Sequence, residues 1–120
     1  MKAPSIVLWI IRIAAAVLLI MGAVIWMGSG DSLITIHILI GVVFTIAALA
    51  LTYLASRAGV ARGLVFAALV VDLALPLLGL TQGMLFPESL AWIAAILHLA
   101  LGLGAWALAE MLALQVGKKD

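Results

Sequence analysis

Cysteine is absent from the 120 residues, which excludes disulfides, thiolate nucleophiles, Cys-ligated zinc and iron–sulfur clusters. Charge is scarce as well. Charged residues make up 9% and hydrophobic residues 68% of the chain, against about 25% and roughly 45–50% in an ordinary soluble domain, so a soluble globular protein is excluded. Six Lys and Arg against five Asp and Glu leave a net charge of +1, with no basic stripe for nucleic acid and no acidic tail. Histidine occurs only at His37 and His98, so any imidazole chemistry rests on those two side chains.

What is present is long uncharged runs between single charges. A helix needs about 20 apolar residues to cross a hydrocarbon core of about 30 Å, and four stretches qualify: Ser5–Met27, Leu33–Ala55, Gly63–Leu80 and Ser89–Ala113. The connections are short and built of breakers, Gly28-Ser29-Gly30-Asp31-Ser32, Ser56-Arg57-Ala58-Gly59, and Thr81-Gln82-Gly83 through Pro87-Glu88-Ser89. Short loops force antiparallel neighbours. The expected fold class is therefore all-α, a polytopic membrane four-helix up-down-up-down bundle forming a single domain over 1–120. Asp31 or Ser32 is expected to cap the second helix, and Pro87, Glu88 and Ser89 to start the fourth.

The first run follows Lys2 and has small residues at Gly28-Ser29-Gly30, as a secretory signal would, but a signal's apolar core is only about 7–15 residues. It reads as a retained helix. Orientation follows from Lys and Arg alone. Lys2, Arg57, Arg62, Lys118 and Lys119 fall on one side, with Arg12 nearest that side, and the two opposite loops hold neither Lys nor Arg. Both termini are thus expected in the cytoplasm, with the chain integral to a membrane, the bacterial inner membrane, and the Asp31 and Glu88 loops outside.

The second span contains His37-Ile38-Leu39-Ile40-Gly41 and the fourth His98-Leu99-Ala100-Leu101-Gly102, one His-x-x-x-Gly pattern used twice. Spans two and four run parallel across the bundle diagonal. At about 1.5 Å per residue, His37 lies about 27 Å and His98 about 22 Å from the cytoplasmic ends, roughly one turn apart and both in the outer half. Gly41 and Gly102 follow one turn on, over Thr45, Ala48 and Thr52 and over Ala105 and Ala109, each set near one face. An imidazole above a side-chain-free stripe suits a flat macrocycle: the ring nitrogens of His37 and His98 would hold one haem iron axially, and Gly41 and Gly102 would clear space for the ring edge. The same stripe also suits plain close helix packing. Copper or zinc lacks further soft ligands here, while the magnesium of a chlorophyll-type pigment needs only one axial ligand.

Two more charges lie within spans, Arg12 in the first and Asp72 in the third. Matched by depth, they are expected to form a buried pair, since an unpaired charge near the bilayer centre costs at least about 2.5–3.5 kcal/mol. Asp72 is alternatively a proton relay or an acceptor for His98. Pro76, one turn beyond Asp72, removes a helical hydrogen bond and is expected to kink the third helix. Glu110 is expected to reach water, and Trp9, Trp26, Trp92 and Trp106 to anchor at the interfaces, with Trp26 and Trp92 also placed to pack on a macrocycle edge. Thr81 and Gln82 are assigned to a loop.

With one His on helix two and one on helix four, each followed by small residues, the layout resembles the membrane cytochromes b, in particular one half of the haem A synthase bundle. The His37 and His98 stretches also look like those of small four-helix bacterial membrane proteins. The resemblance implies one haem b per chain held by His37 and His98, and electron transfer with a quinone or redox protein as partner. A homo-oligomer or a larger membrane complex is a further expected setting. Haem A synthase halves carry an Arg beside a ligating His and a membrane-buried Glu; Ile38 and Leu99 follow the histidines here, which argues against haem-modifying catalysis. Ascorbate-dependent and ferric-reductase cytochromes carry two His per ligating helix, for two haems. One pair supports one haem only. The rival expectation is a structural subunit or small transporter in which the histidines and Asp72 are packing groups or a proton path.

Overall fold

The computed structural model describes residues 2–119. Four helices, α1 (Ala3–Trp26), α2 (Ile34–Arg57), α3 (Arg62–Leu85) and α4 (Ala91–Lys119), form an all-α bundle, and each is long and apolar enough to cross a membrane. Single 3-10 turns, Asp31–Leu33 and Glu88–Leu90, lead into α2 and α4. The second helix carries no side-chain cap, so Asp31 and Ser32 do not perform the capping expected of them, whereas Pro87, Glu88 and Ser89 open the turn that starts the fourth, as expected. The tight reversals after α1 and α2 use Gly28 and Gly59 at φ +81 and +76, a left-handed backbone that only glycine adopts without cost.

Sequence neighbours pack against each other, and α1 closes on α4, as up-down-up-down order requires. The second diagonal is unequal to the first: α2 and α4 also touch, whereas α1 and α3 do not pack. Small residues allow this. Ala48 on α2 and Ala105 and Ala109 on α4 are almost fully buried, and in lipid, where apolar side chains gain nothing by leaving solvent, close backbone approach through such residues drives helix association. A bundle closed along one diagonal is flattened, which its extents of 48 × 26 × 16 Å reflect.

The two ends differ. At the end bearing the termini and the α2–α3 turn, Ile11, Leu51, Ala55, Ala68, Leu112 and Val116 form a dense core. Toward the far end, which bears the α1–α2 and α3–α4 turns, few residues are buried. Large apolar side chains such as Ile13, Ile46, Phe66 and Leu114 face outward, the surface a bilayer contacts.

The expected Arg12–Asp72 pair does not form. Arg12 instead donates twice to Glu110 on α4, from Nε at 2.7 Å and from a terminal guanidinium nitrogen at 2.8 Å, and stacks 4.9 Å from the Trp9 ring centre. The reason is azimuthal: Arg12 and Asp72 match in depth but sit on α1 and α3, the helices held apart. Glu110 is thus an ion-pair partner whose side chain, 37% exposed, also reaches the surface as expected. Its Oε1 also accepts a hydrogen bond from Trp106 Nε1 at 3.2 Å, and the Trp106 ring borders a cavity at the far end.

Asp72 is 3% exposed and accepts a hydrogen bond from Thr52 on α2 at 2.8 Å; it makes none to His98. An interhelical bond of this kind contributes about 1–2 kcal/mol in a bilayer. Thr52→Val is therefore expected to lower stability by about that amount, because it leaves the Asp72 carboxyl buried without a donor. Combining it with Asp72→Leu is expected to recover most of the loss, since the group that needs a partner is then gone. Unfolding by detergent titration, followed by circular dichroism, measures both.

Candidate functional site

The far end of the bundle is hollow. A cavity of about 660 Å³ lies there, within the roughly 300–1,000 Å³ of ligand pockets. All four helices contribute walls, largely apolar, including Leu18, Trp26, Phe44, Leu75 and Trp92. His37 and His98 both line it, as do Gly41 and Gly102. The stripe of small residues therefore has two functions along its length: Ala48, Ala105 and Ala109 close the bundle, and one or two turns further on Gly41 and Gly102 leave it open.

The two imidazoles converge, with ring centroids 6.3 Å apart and planes inclined by 54°. The expected offset of one turn is absorbed because α4 runs to Lys119, six residues beyond Ala113. Counted from the ends of α2 and α4, His37 and His98 lie about 30 and about 32 Å along their helices. Nδ1 of each ring is buried and has no hydrogen-bond partner. Buried unpaired polar groups are costly and uncommon, and here two stand at one cavity.

Glycines on the odd-numbered helices set the imidazoles. A Cβ at Gly79 on α3 would fall 2.7 Å from His98 Cε1, whereas one at Gly22 on α1 would stand 3.5 Å from His37 Cε1. Each hairpin thus packs a glycine against the histidine of its second helix, tightly in α3–α4 and with room to spare in α1–α2. Neither glycine stood out in the sequence. A Cβ at Gly41 would meet nothing within 4 Å, and one at Gly102 only a Leu75 methyl at 3.9 Å, as expected of residues bordering open space.

A third polar group shares the cavity. The helix α3 continues to Leu85, five residues past the expected end, so Thr81 and Gln82 are helical; Gln82 lines the cavity and its Oε1 is buried without a partner. Thr81 bonds back to the Leu77 carbonyl at 2.5 Å. Pro76 also lines the cavity, within a helix that remains continuous. Asp72 lies a turn away and does not line it, and Arg12 borders a separate pocket of about 250 Å³ beside Glu110 at the terminus end.

Among the described residues no group of three or more His, Cys, Asp or Glu is assembled to hold a metal ion; the protein offers two imidazoles and nothing further. Fold and site together define a membrane four-helix bundle with a paired-histidine cavity in one half. No family model, no curated protein and no solved structure matches the chain.

Gly79→Ala is expected to displace the His98 ring, the side-chain end that can yield, while Gly22→Ala fits in ordinary van der Waals contact. Imidazole NMR shifts of the detergent-solubilised protein report this: His98 moves strongly in the first variant, and both rings stay near their original positions in the second.

Proposed function

We propose that the chain is a membrane b-type cytochrome that binds one haem b between His37 and His98 and transfers electrons, as a carrier or as the haem subunit of a larger complex. The observation that carries this reading is the pair of unsatisfied imidazoles 6.3 Å apart at one large cavity. Imidazoles whose centres stand 6.3 Å apart across a cavity would suit one metal held between them. Two protein donors alone make a poor metal site, so the metal that suits them brings its remaining ligands with it. A macrocycle does that, and the glycine-cleared apolar walls suit its faces.

When bound, the group supplies one-electron chemistry, with a potential set by its axial ligands and the dielectric around it. The chain's own contributions are to hold the iron from both sides, to exclude water with Leu18, Phe44 and Leu75, and to fix one imidazole through Gly79. Were His37 and His98 both to hold the iron, no protein-free position would remain for dioxygen, which favours electron transfer over oxygen activation. The Lys and Arg distribution supports an inner-membrane protein with both termini in the cytoplasm and the histidines in the outer half. A single haem in one half of the bilayer needs a quinone or a redox protein to complete an electron path.

The test is the absorption spectrum of detergent-purified protein, expressed with haem supplied, before and after dithionite. A Soret band that shifts on reduction, split visible bands and one haem per chain are expected, and His37→Ala or His98→Ala should abolish the low-spin spectrum. A colourless protein that takes up no added haem overturns the reading and leaves the histidines as packing or proton-handling groups of a structural or transport protein.

A further inference from the structure

Ligation leaves unused a polar group at the cavity whose buried atom has no partner. Gln82 Oε1 is buried and unpartnered, on the same face of α3 as Leu75, Pro76 and Gly79, which also line the cavity. A carboxamide can turn to present either its oxygen or its two N–H donors, so the orphaned end is a place for a donor or an acceptor of the occupant.

The charges decide which. No Lys or Arg lines the cavity, and the charged residues in the connections at that end, Asp31 and Glu88, are both acidic. A carboxylate on the occupant therefore meets no cation, and toward the far end the neutral Gln82 amide is the donor within the cavity, the Thr45 hydroxyl lying two turns from His37 toward the terminus end. The indoles of Trp26 and Trp92 share that end, but at 54% and 56% exposure they face outward as well.

Resting on the cytochrome reading above, we infer that Gln82 is a ligand-positioning residue: its amide donates a hydrogen bond to a peripheral carboxylate of the macrocycle held by His37 and His98. It thereby selects the edge of the ring that faces the far end of the bundle. Hydrogen bonds to charged groups are stronger than neutral ones, so the contact discriminates between an ionised carboxylate and its ester.

The experiment titrates full-length apoprotein in detergent with haem b and, separately, with haem b dimethyl ester, following the Soret band. Wild type is expected to favour the free acid. Gln82→Leu is expected to weaken free-acid binding about tenfold and to leave the ester unchanged; Gln82→Glu, nearly the same shape, is expected to weaken the free acid further by repulsion. The Glu variant keeps the test available should the Leu variant not fold. Equal losses for acid and ester, or an unchanged ratio in both variants, overturn the inference while the cytochrome reading stands. Wild-type protein that binds neither probe overturns that reading and this inference with it.

Discussion

The structure depends on the closing of one diagonal. Alanines at positions 48, 105 and 109 let α2 and α4 touch across the bundle, and four helices arranged around such a contact cannot also bring α1 and α3 together. Several features follow from that. The imidazoles on α2 and α4 are carried toward each other, Arg12 and Asp72 on the other two helices are kept apart, and each of those charges finds a partner on a neighbouring helix. The closure is made at the terminus end, where Leu51 and Leu112 are wholly buried; glycine replaces alanine nearer the far end, and the same two helices there border a cavity.

The polar side chains of the helices sort themselves along the same axis. Toward the terminus end Arg12 is held by Glu110, Glu110 by Trp106, and Asp72 by Thr52. At the cavity His37, His98 and Gln82 each keep an atom with no partner. In a bilayer no solvent reaches such atoms from the side, so the contrast separates polar groups that hold the fold from polar atoms left without a partner at the cavity. Trp106 lies where the two meet, since its ring lines the cavity and its N–H holds Glu110.

Much of this was legible in the sequence because composition alone dictates spans, and short loops dictate antiparallel order. The histidine pair was legible from a repeated pattern. Depth arithmetic placed Arg12 and Asp72 together because distance along a helix says nothing about which neighbour a side chain faces; that depends on which diagonal closes. Gly79 lay inside the expected third span with no pattern to single it out, and ending that span at Leu80 put Gln82 in a loop, although Asp72, Leu75, Pro76, Gly79 and Gln82 recur at spacings of three and four, one continuous face of α3.

The two hairpins repeat a motif without repeating its tightness. In each, a glycine on the first helix meets the histidine of the second, but an added Cβ would stand in ordinary contact at 3.5 Å from His37 and clash at 2.7 Å with His98. His98 is therefore seated against the α3 backbone at Gly79. His37 has looser support from α1. The two hairpins thus support their imidazoles unequally, α3–α4 more closely than α1–α2, and Gln82 lies on the closer side, one turn from Gly79.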